Sequence, residues 1–168
     1  MVLIETERLL ISPLNTAHAS FILEIMNSPG WLAFIGDRGI RSIDDAERYI
    51  VDGPMASYEK NGFGLYQVAL KQNDLSIGIC GILKRDTLEH PDIGFALLPA
   101  YTGKGYALES AKAMMEYACT TLQLKKVAAI TKEKNLRSVQ LLQKLGLLFE
   151  KKIKLAGNEE ELMLFGTA

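Results

Sequence analysis

Residues 101–107, Tyr-Thr-Gly-Lys-Gly-Tyr-Ala, form the stretch that decides the fold of this chain. They follow an apolar, strand-like segment at 92–98 and lead directly into a segment with helical periodicity at about 105–121. Glycines at 103 and 105 lack the Cβ atoms that would keep a ligand away from the main chain, so successive N–H groups and the positive end of a helix can face a phosphate. The stretch therefore favours an anion-binding turn, although a Gly-rich turn alone is equally compatible with a tight connection.

The same order of elements recurs downstream. The apolar run 127–131, Val-Ala-Ala-Ile-Thr, predicts a strand at 126–131, and Asn135 then caps a helix at about 136–145 that ends at Gly146. A helical crossover between two strands of one sheet makes those strands parallel. We therefore predict a parallel pair formed by the strands at 92–98 and 126–131.

The remaining segments indicate antiparallel strands and further helices. Alternating apolar residues predict strands at 8–12, 65–70 and 76–82, and a closing hairpin that joins 149–155 to 161–165 through a turn at 156–160. Helices are predicted to begin at Asn15 or Thr16 and at Ser42, the second being broken or kinked at Gly53-Pro54. Together these elements predict one α/β domain of the α+β kind over residues 1–168, with a mixed, mostly antiparallel sheet and helices on both faces.

Composition sets limits on the class of protein. The chain has 168 residues, 48% of them hydrophobic, which is sufficient for one buried core. Nineteen basic and 20 acidic residues are scattered along it, and the net charge of −1 argues against a nucleic-acid interface. Cys80 and Cys119 lie in apolar contexts without a paired spacing, which predicts buried reduced thiols rather than a disulfide or a metal site. Because no leader peptide or long apolar run is evident, we expect a cytoplasmic protein without a membrane segment.

With the glycine turn and the Asn-capped helix both present, residues 92–147 resemble the central part of the GCN5-related N-acetyltransferases (GNATs). The family pattern is Gln/Arg-x-x-Gly-x-Gly/Ala followed by Asn-x-x-Ser/Ala-x-x-Leu, and residues 102–107 depart from it only at Thr102. Ile-Gly-Phe at 93–95, followed by Tyr-x-Gly-Lys-Gly-Tyr-Ala-x-Glu at 101–109, is similar to the RimJ/RimL-type branch, which acetylates protein N-terminal amines. The opening at 5–11, Glu-Thr-Glu-Arg-Leu-Leu-Ile, is also typical of that branch.

The resemblance implies the GNAT fold and its coenzyme site. In that fold the two parallel strands splay apart, and the gap admits the pantetheine arm of acetyl coenzyme A, a co-substrate used here without a metal. Main-chain groups on the first strand would contact the arm, and N–H groups of the glycine turn would hold the pyrophosphate. Thr102 replaces the Gln or Arg of the family pattern, so one polar or charged side-chain contact with the coenzyme is lost. The predicted coenzyme-binding residues are Phe95, Ala96, Leu97, Thr102, Gly103, Lys104, Gly105, Tyr106, Ala107, Asn135 and Ser138.

The resemblance also implies catalytic roles. A main-chain N–H near Ala96 would stabilise the oxyanion. Many family members protonate the departing thiolate with a Tyr, but Leu142 stands at that position. Because the RimJ/RimL-type branch has a Ser at 138, we predict that Ser138 is the proton donor. The alternative is that Ser138 is an ordinary polar residue in the first turn after the N-cap Asn135.

The general base and the acceptor site are less defined by the sequence. Asp92 occupies a place where relatives often carry Glu, so it is our candidate base; His90, before Pro91, is interpreted as a surface residue, and a water chain is the third alternative. By resemblance, residues 31–41, the helix with Pro54 and the closing hairpin surround the acceptor. Three aromatic residues either form an apolar mouth there or anchor the core: Trp31, Phe34 and Tyr58.

The sequence thus predicts an N-acetyltransferase that moves an acetyl group from acetyl coenzyme A to a primary amine. The acceptor is a peptide N-terminal α-amine or a small amine, and the enzyme is a monomer or a homodimer. At neutral pH an α-amine is deprotonated several per cent of the time and a lysine-like amine only about once in a thousand, so α-amines need the least help. Leu142 and Thr102 keep open a catalytically idle coenzyme A binder. A different nucleotide-binding fold is disfavoured, because the turn lacks the Gly-Lys-Ser/Thr ending of a P-loop.

Overall fold

An eight-stranded mixed sheet forms the centre of the computed structural model, which describes residues 1–155, 157 and 159–168. Every neighbouring pair of strands is antiparallel except β5 (Asp92–Leu97) and β6 (Ala128–Thr131), which are parallel. This confirms the predicted sheet and its parallel pair. Side by side, the strands are β1 (Ile4–Glu5), β2 (Leu9–Pro13), β3 (Leu65–Leu70), β4 (Ser76–Leu83), β5 (Asp92–Leu97), β6 (Ala128–Thr131), β8 (Leu162–Gly166) and β7 (Leu148–Ile153).

Helices cover both faces of the sheet. The predicted cap at Ser42 is confirmed, since its hydroxyl accepts the N–H of Asp45 at 3.1 Å. A π-helical turn at Val51–Met55 contains Pro54 and joins α3 (Ile43–Ile50) to α4 (Ala56–Asn61), so Gly53-Pro54 kinks the helical path without ending it. The helix α2 was not predicted. In the described residues the α-helices are α1 (Ala19–Met26), α2 (Pro29–Phe34), α3 (Ile43–Ile50), α4 (Ala56–Asn61), α5 (Tyr106–Thr120) and α6 (Leu136–Lys144).

The alternation of side chains along the strands divides the core into two parts. One part lies under α5 and contains Cys80, Ile82 and Ile93, with Phe95 and Leu97 packed against it. The other lies under α1 and α3 and includes Leu65, Ile79 and Leu98, with Ala96 packed against it. We call these the α5 side and the α1/α3 side of the sheet. Strand β5 therefore presents its odd-numbered side chains to the α5 side and its even-numbered ones to the α1/α3 side.

The two cysteines differ in environment. Cys80 is fully buried, and desolvation raises the pKa of its thiol to about 12. Cys119 is exposed near the end of α5, so the prediction of a second buried thiol is wrong. Residue 119 follows the buried Ala118 and lies just beyond the helical stripe that packs on the sheet. Neither cysteine forms a disulfide.

The closing hairpin is confirmed by the antiparallel pairing of β7 with β8. Its predicted turn at 156–160 includes Ala156 and Asn158, which lie outside the described residues. Within the described ranges, no helix combines the length and apolar character needed to cross a bilayer.

Candidate active site

Strands β5 and β6 separate almost as soon as they meet. The N–H of Ala128 donates to the carbonyl of Pro91 at 2.8 Å, and Asp92 lies opposite Ala128. The described residues show no further register pair between these two strands, while β6 stays paired with β8 on its other edge as far as Thr131. We call the space between residues 93–97 and 129–131 the β5–β6 gap. It is the splayed pair that the GNAT resemblance implies.

Strand register decides which main-chain groups face the gap. The N–H of Leu98 donates to Ile77 of β4 at 2.8 Å, whereas the carbonyl of Pro91 points to β6. Because backbone groups alternate between the two edges of a strand, the N–H and C=O groups of Phe95 and Leu97 face the gap. Those of Ala96 face Ile79 of β4. Of the three residues predicted to offer main-chain contacts, Phe95 and Leu97 therefore have groups on the gap edge.

The glycine turn has the geometry of an anion cradle. Gly103 and Gly105 have φ of 76° and 83°, in the left-handed region that favours glycine. Gly105 is the N-cap of α5 and no described side chain caps the helix, so the first N–H groups of α5 keep their hydrogen-bonding capacity for a ligand. The Thr102 hydroxyl donates to the Pro99 carbonyl at 2.9 Å, within its own turn.

Arg8, from the opening motif, reaches this cradle from the far end of the chain. Its Nη1 donates to the carbonyl of Lys104 at 3.1 Å, and its guanidinium lies 4.4 Å from the centre of the Tyr106 ring. Its Nη2 lies 3.2 Å from the position that a Cβ on Gly105 would occupy. A positive charge is thus held beside the first turn of α5. The opening motif by itself indicates only a branch of the family, so the sequence does not predict this position of Arg8.

Glu109 fixes Arg8 in this position. The carboxylate accepts the Arg8 Nε at 2.7 Å, the Arg8 backbone N–H at 2.9 Å and the Thr6 hydroxyl at 2.6 Å. Desolvation alone would raise the pKa of Glu109, but the hydrogen bonds from Thr6 and Arg8 lower it below its ordinary value. Two features of the sequence are signals for this arrangement. One is the acidic residue in the first turn of α5, and the other is the Arg of the opening motif, for which the motif itself gives no role.

The start of α6 brings Asn135 and Ser138 together. The Asn135 side-chain oxygen accepts the N–H of Ser138 at 3.3 Å, which confirms the predicted N-cap. Leu142, one turn further along the same face, is 1% exposed in the core of the α5 side. Ser138 therefore lies on the inward face of α6. Among the described residues its hydroxyl makes no hydrogen bond, so its donor is available to a ligand.

Asp92 lies at the closed end of the gap, on the α1/α3 side. Its side chain is 1% exposed, and its carboxylate accepts the Nε of Arg85 at 3.1 Å. Burial raises the pKa of Asp92 to about 6 against the opposing effect of Arg85. A carboxylate that titrates near neutral pH suits a general base, and the same ion pair also fastens the 84–91 connection to β5. His90 is half-exposed and 3.8 Å from Glu89, in agreement with a surface residue.

The segment 29–41 forms a wall on the α1/α3 side of the gap. Lys132, directly after β6, donates to the carbonyl of Ala33 at 3.1 Å, and it also pairs with Glu160 at 3.1 Å. Further along, Arg38, Gly39 and Ile40 face α3 across a groove. The segment thus extends from the end of β6 to the helices packed on β3 and β4.

The aromatic residues proposed for an apolar mouth serve mainly as core anchors. Trp31 is buried among α1 and α3 residues, and its indole N–H has no partner in the described part of the chain. The Tyr58 hydroxyl donates to the Leu65 carbonyl, and its ring stacks on Tyr66 at 5.2 Å. Only the side chain of Phe34 is exposed among the three.

The groove beside this wall consists of two adjoining hollows of about 460 and 340 Å³. Both are lined by Arg38, Tyr49, Asp52 and Gly53, and the smaller one extends to Leu83 and Lys84 at the end of β4. We call it the acceptor-side groove. In the described ranges, no group of three or more His, Cys, Asp or Glu side chains is placed to hold a metal ion.

Comparisons with known proteins place this geometry in context. A family model described as "Acetyltransferase (GNAT) domain" matches residues 8–148. The chain is similar to the uncharacterized N-acetyltransferase YnaD of Bacillus subtilis (strain 168), with 28% identity over 159 residues, 93% of this chain and 90% of the relative. It also resembles the solved structure of a putative GNAT-family acetyltransferase from Bordetella pertussis, with a TM-score of 0.82 and 21% identity over 100% of this chain and 99% of that one.

A third similar structure is the microcin C7 self-immunity acetyltransferase MccE in complex with acetyl-CoA and AMP. Its TM-score is 0.82 at 13% identity, over 97% of this chain and 93% of that one. At such identities the two structural likenesses concern the fold, and the predicted fold class is confirmed by them.

Proposed function

Since the chain belongs to the GNAT acetyltransferase family, we propose that it moves an acetyl group from acetyl-CoA to a primary amine by direct attack. The observation that carries this proposal is the succession of two features along β5. The strand opens a gap toward β6, and its continuation forms the uncapped glycine turn. A coenzyme with a phosphate end and a long amide-bearing arm needs both features in this order.

Main-chain and charged groups of this chain bind the coenzyme in our proposal. The first N–H groups of α5, from Tyr106 onward, hold the pyrophosphate, and the Arg8 guanidinium adds a charge-assisted contact at the same place. The gap-facing groups of Phe95 and Leu97 pair with the amides of the pantetheine arm as a neighbouring strand would. Acetyl-CoA supplies the activated acetyl group; no metal takes part.

Three groups act on the reaction. Asp92, with its raised pKa, accepts a proton from the incoming ammonium, so the neutral nitrogen attacks the acetyl carbonyl. A gap-facing N–H, of Phe95 or Leu97, stabilises the oxyanion. As the C–N bond forms and the C–S bond breaks, Ser138 donates its hydroxyl proton to the departing thiolate, and the second proton lost by the attacking nitrogen restores the Ser138 hydroxyl. The unbonded hydroxyl of Ser138 and the burial of Leu142 support this assignment.

The acceptor in this proposal is a peptide N-terminal α-amine, as in the RimJ/RimL-type branch, or a small amine. The motif at 101–109 and the opening motif at 5–11 support that branch. A catalytically idle coenzyme A binder remains the second candidate, because Leu142 is a core residue and the Thr102 hydroxyl is directed into its own turn.

A thiol-release screen tests the proposal. Wild-type protein is incubated with acetyl-CoA and a panel of N-terminal peptides and small amines, and the binding of acetyl-CoA is measured by calorimetry. Binding together with amine-dependent thiol release is the expected result. Binding without release for every amine would establish the idle binder, and absence of binding would remove the coenzyme site from the account.

A further inference from the structure

The acceptor-side groove approaches β5 from the side opposite the glycine turn. Its floor includes Leu65 and Leu83, whose side chains lie 3.6 and 3.3 Å from the position of a Cβ on Gly94. Leu83 is also the register partner of Asp92. The coenzyme turn leads into α5 on the other side of the sheet. The groove therefore lies beside the start of β5, on the face of the sheet opposite α5.

Unpaired positive charges dominate this groove. Its lining contains four cationic side chains and two carboxylates, of which Arg48 and Asp45 pair with each other at 2.6 Å. The remaining cations are Arg38, Lys60 and Lys84, and the remaining carboxylate is Asp52. None of these four side chains forms a hydrogen bond or ion pair within the described part of the chain. Three cations against one carboxylate leave a surplus of two positive charges, although the whole chain has a net charge of −1.

Tyr49 lies near the cations of the groove and near Arg85, the partner of the proposed base. Its ring lines both hollows, and burial raises the pKa of its hydroxyl while the nearby Arg38 and Arg85 act in the opposite direction. The phenol therefore keeps its proton and can donate a hydrogen bond. Arg85 in turn contacts Asp92 at 3.1 Å. Tyr49 therefore lies near both Arg38 of the groove and Arg85, the ion-pair partner of the buried Asp92.

We propose that the acceptor amine carries an anionic group, a carboxylate or a phosphate, which the acceptor-side groove binds through Arg38 with Lys84 and Lys60. This inference rests on the proposed acetyl transfer and names its substrate class. A guanidinium offers a planar pair of donors that matches either a carboxylate or a phosphate. The lysine ammonium groups add electrostatic attraction without a preferred geometry. A polyamine would meet like charges at the same place and is disfavoured.

The test compares acceptors that share an amine and differ in charge. An amino acid is compared with its amide, a phosphate ester of ethanolamine with ethanolamine itself, and both sets with a diamine. We expect kcat/KM for the anionic member to exceed that of its neutral partner by at least about tenfold, the effect of one charge-assisted contact. The two anionic acceptors show whether carboxylate or phosphate is preferred. The preference should fall with rising ionic strength.

Arg38→Gln is the deciding variant, and Lys112→Gln on the exposed face of α5 is its matched control. The anionic preference should disappear in the first and persist in the second, with unchanged melting temperatures. Equilibrium binding of the same acceptors to the CoA-saturated protein is measured in parallel. If the anionic acceptors bound preferentially but were not acetylated, the proposed acetyl transfer would be contradicted and the anionic preference of the groove would stand. Equal binding of neutral and anionic acceptors, or equal effects of the two variants, would overturn the inference.

Discussion

Replacing Gly105 by Val probes the glycine turn directly. The residue has φ of 83°, where a side chain with a Cβ costs about 1–2 kcal/mol, and its Cβ would lie 3.2 Å from Arg8 Nη2. For a domain of this size the backbone term alone lowers the melting temperature by roughly 2–8 °C. The branched side chain also separates the first N–H groups of α5 from a bound phosphate. Loss of one hydrogen bond to a charged group should weaken acetyl-CoA binding by roughly 10- to 150-fold.

Gly146→Val supplies the control for that experiment. Gly146 has φ of 88° at the end of α6, and a Cβ there would meet nothing within 4 Å. Its replacement should impose a similar backbone strain without touching the turn. Calorimetry with acetyl-CoA and thermal melting are measured for both variants. If folded Gly105→Val protein bound acetyl-CoA as tightly as Gly146→Val protein, the phosphate cradle would be wrongly placed.

Three further substitutions test individual side chains. Arg8→Ala should weaken acetyl-CoA binding while leaving the turnover of acetyl-pantetheine, which lacks the phosphates, unchanged; equal losses with both donors would contradict a phosphate contact. Ser138→Ala should lower kcat by about 10²–10⁴ with little change in coenzyme affinity; turnover within about threefold of wild type would return Ser138 to a plain first-turn residue. For Asp92, the native pKa of about 6 exceeds the ordinary carboxyl value of 3.8, so the native state holds the proton to higher pH than the unfolded state. Wild-type stability should therefore fall relative to Asp92→Asn as pH rises from about 4 to about 6, and a pH-independent difference in melting temperature would refute the raised pKa.

The fold was predictable because its strongest patterns are local. The alternation at 65–70 and 76–82 and the glycine turn before α5 each report on neighbouring residues only. Helix α2 escaped prediction because Pro29-Gly30 suggested an end, whereas Pro29 occupies the first turn of a new helix, where its missing N–H is tolerated. Cys119 lies one residue beyond the buried stripe, a distinction that depends on how α5 is rotated against the sheet.

The candidate site could be predicted only where it is local. The glycine turn and the Asn135 cap follow from short motifs and have the expected geometry. Arg8 and Glu109 meet across 101 positions of sequence, and no periodicity reports such a pairing. Whether Ala96 or its neighbours turn their main-chain groups toward the gap depends on strand register. The hydrogen bond from the Leu98 N–H to β4 shows that register. The charges of the acceptor-side groove come from segments that tertiary packing brings together.

The central claim, direct transfer of acetyl from acetyl-CoA to an amine nitrogen, is tested most directly with isotopically labelled acetyl-CoA. The preferred amine and the protein are both analysed by mass spectrometry during turnover. We predict that the label appears on the amine in proportion to the thiol released, and never on the protein, including the exposed Cys119. Labelled protein that forms and decays during turnover, or thiol release without labelled amine, would contradict direct transfer.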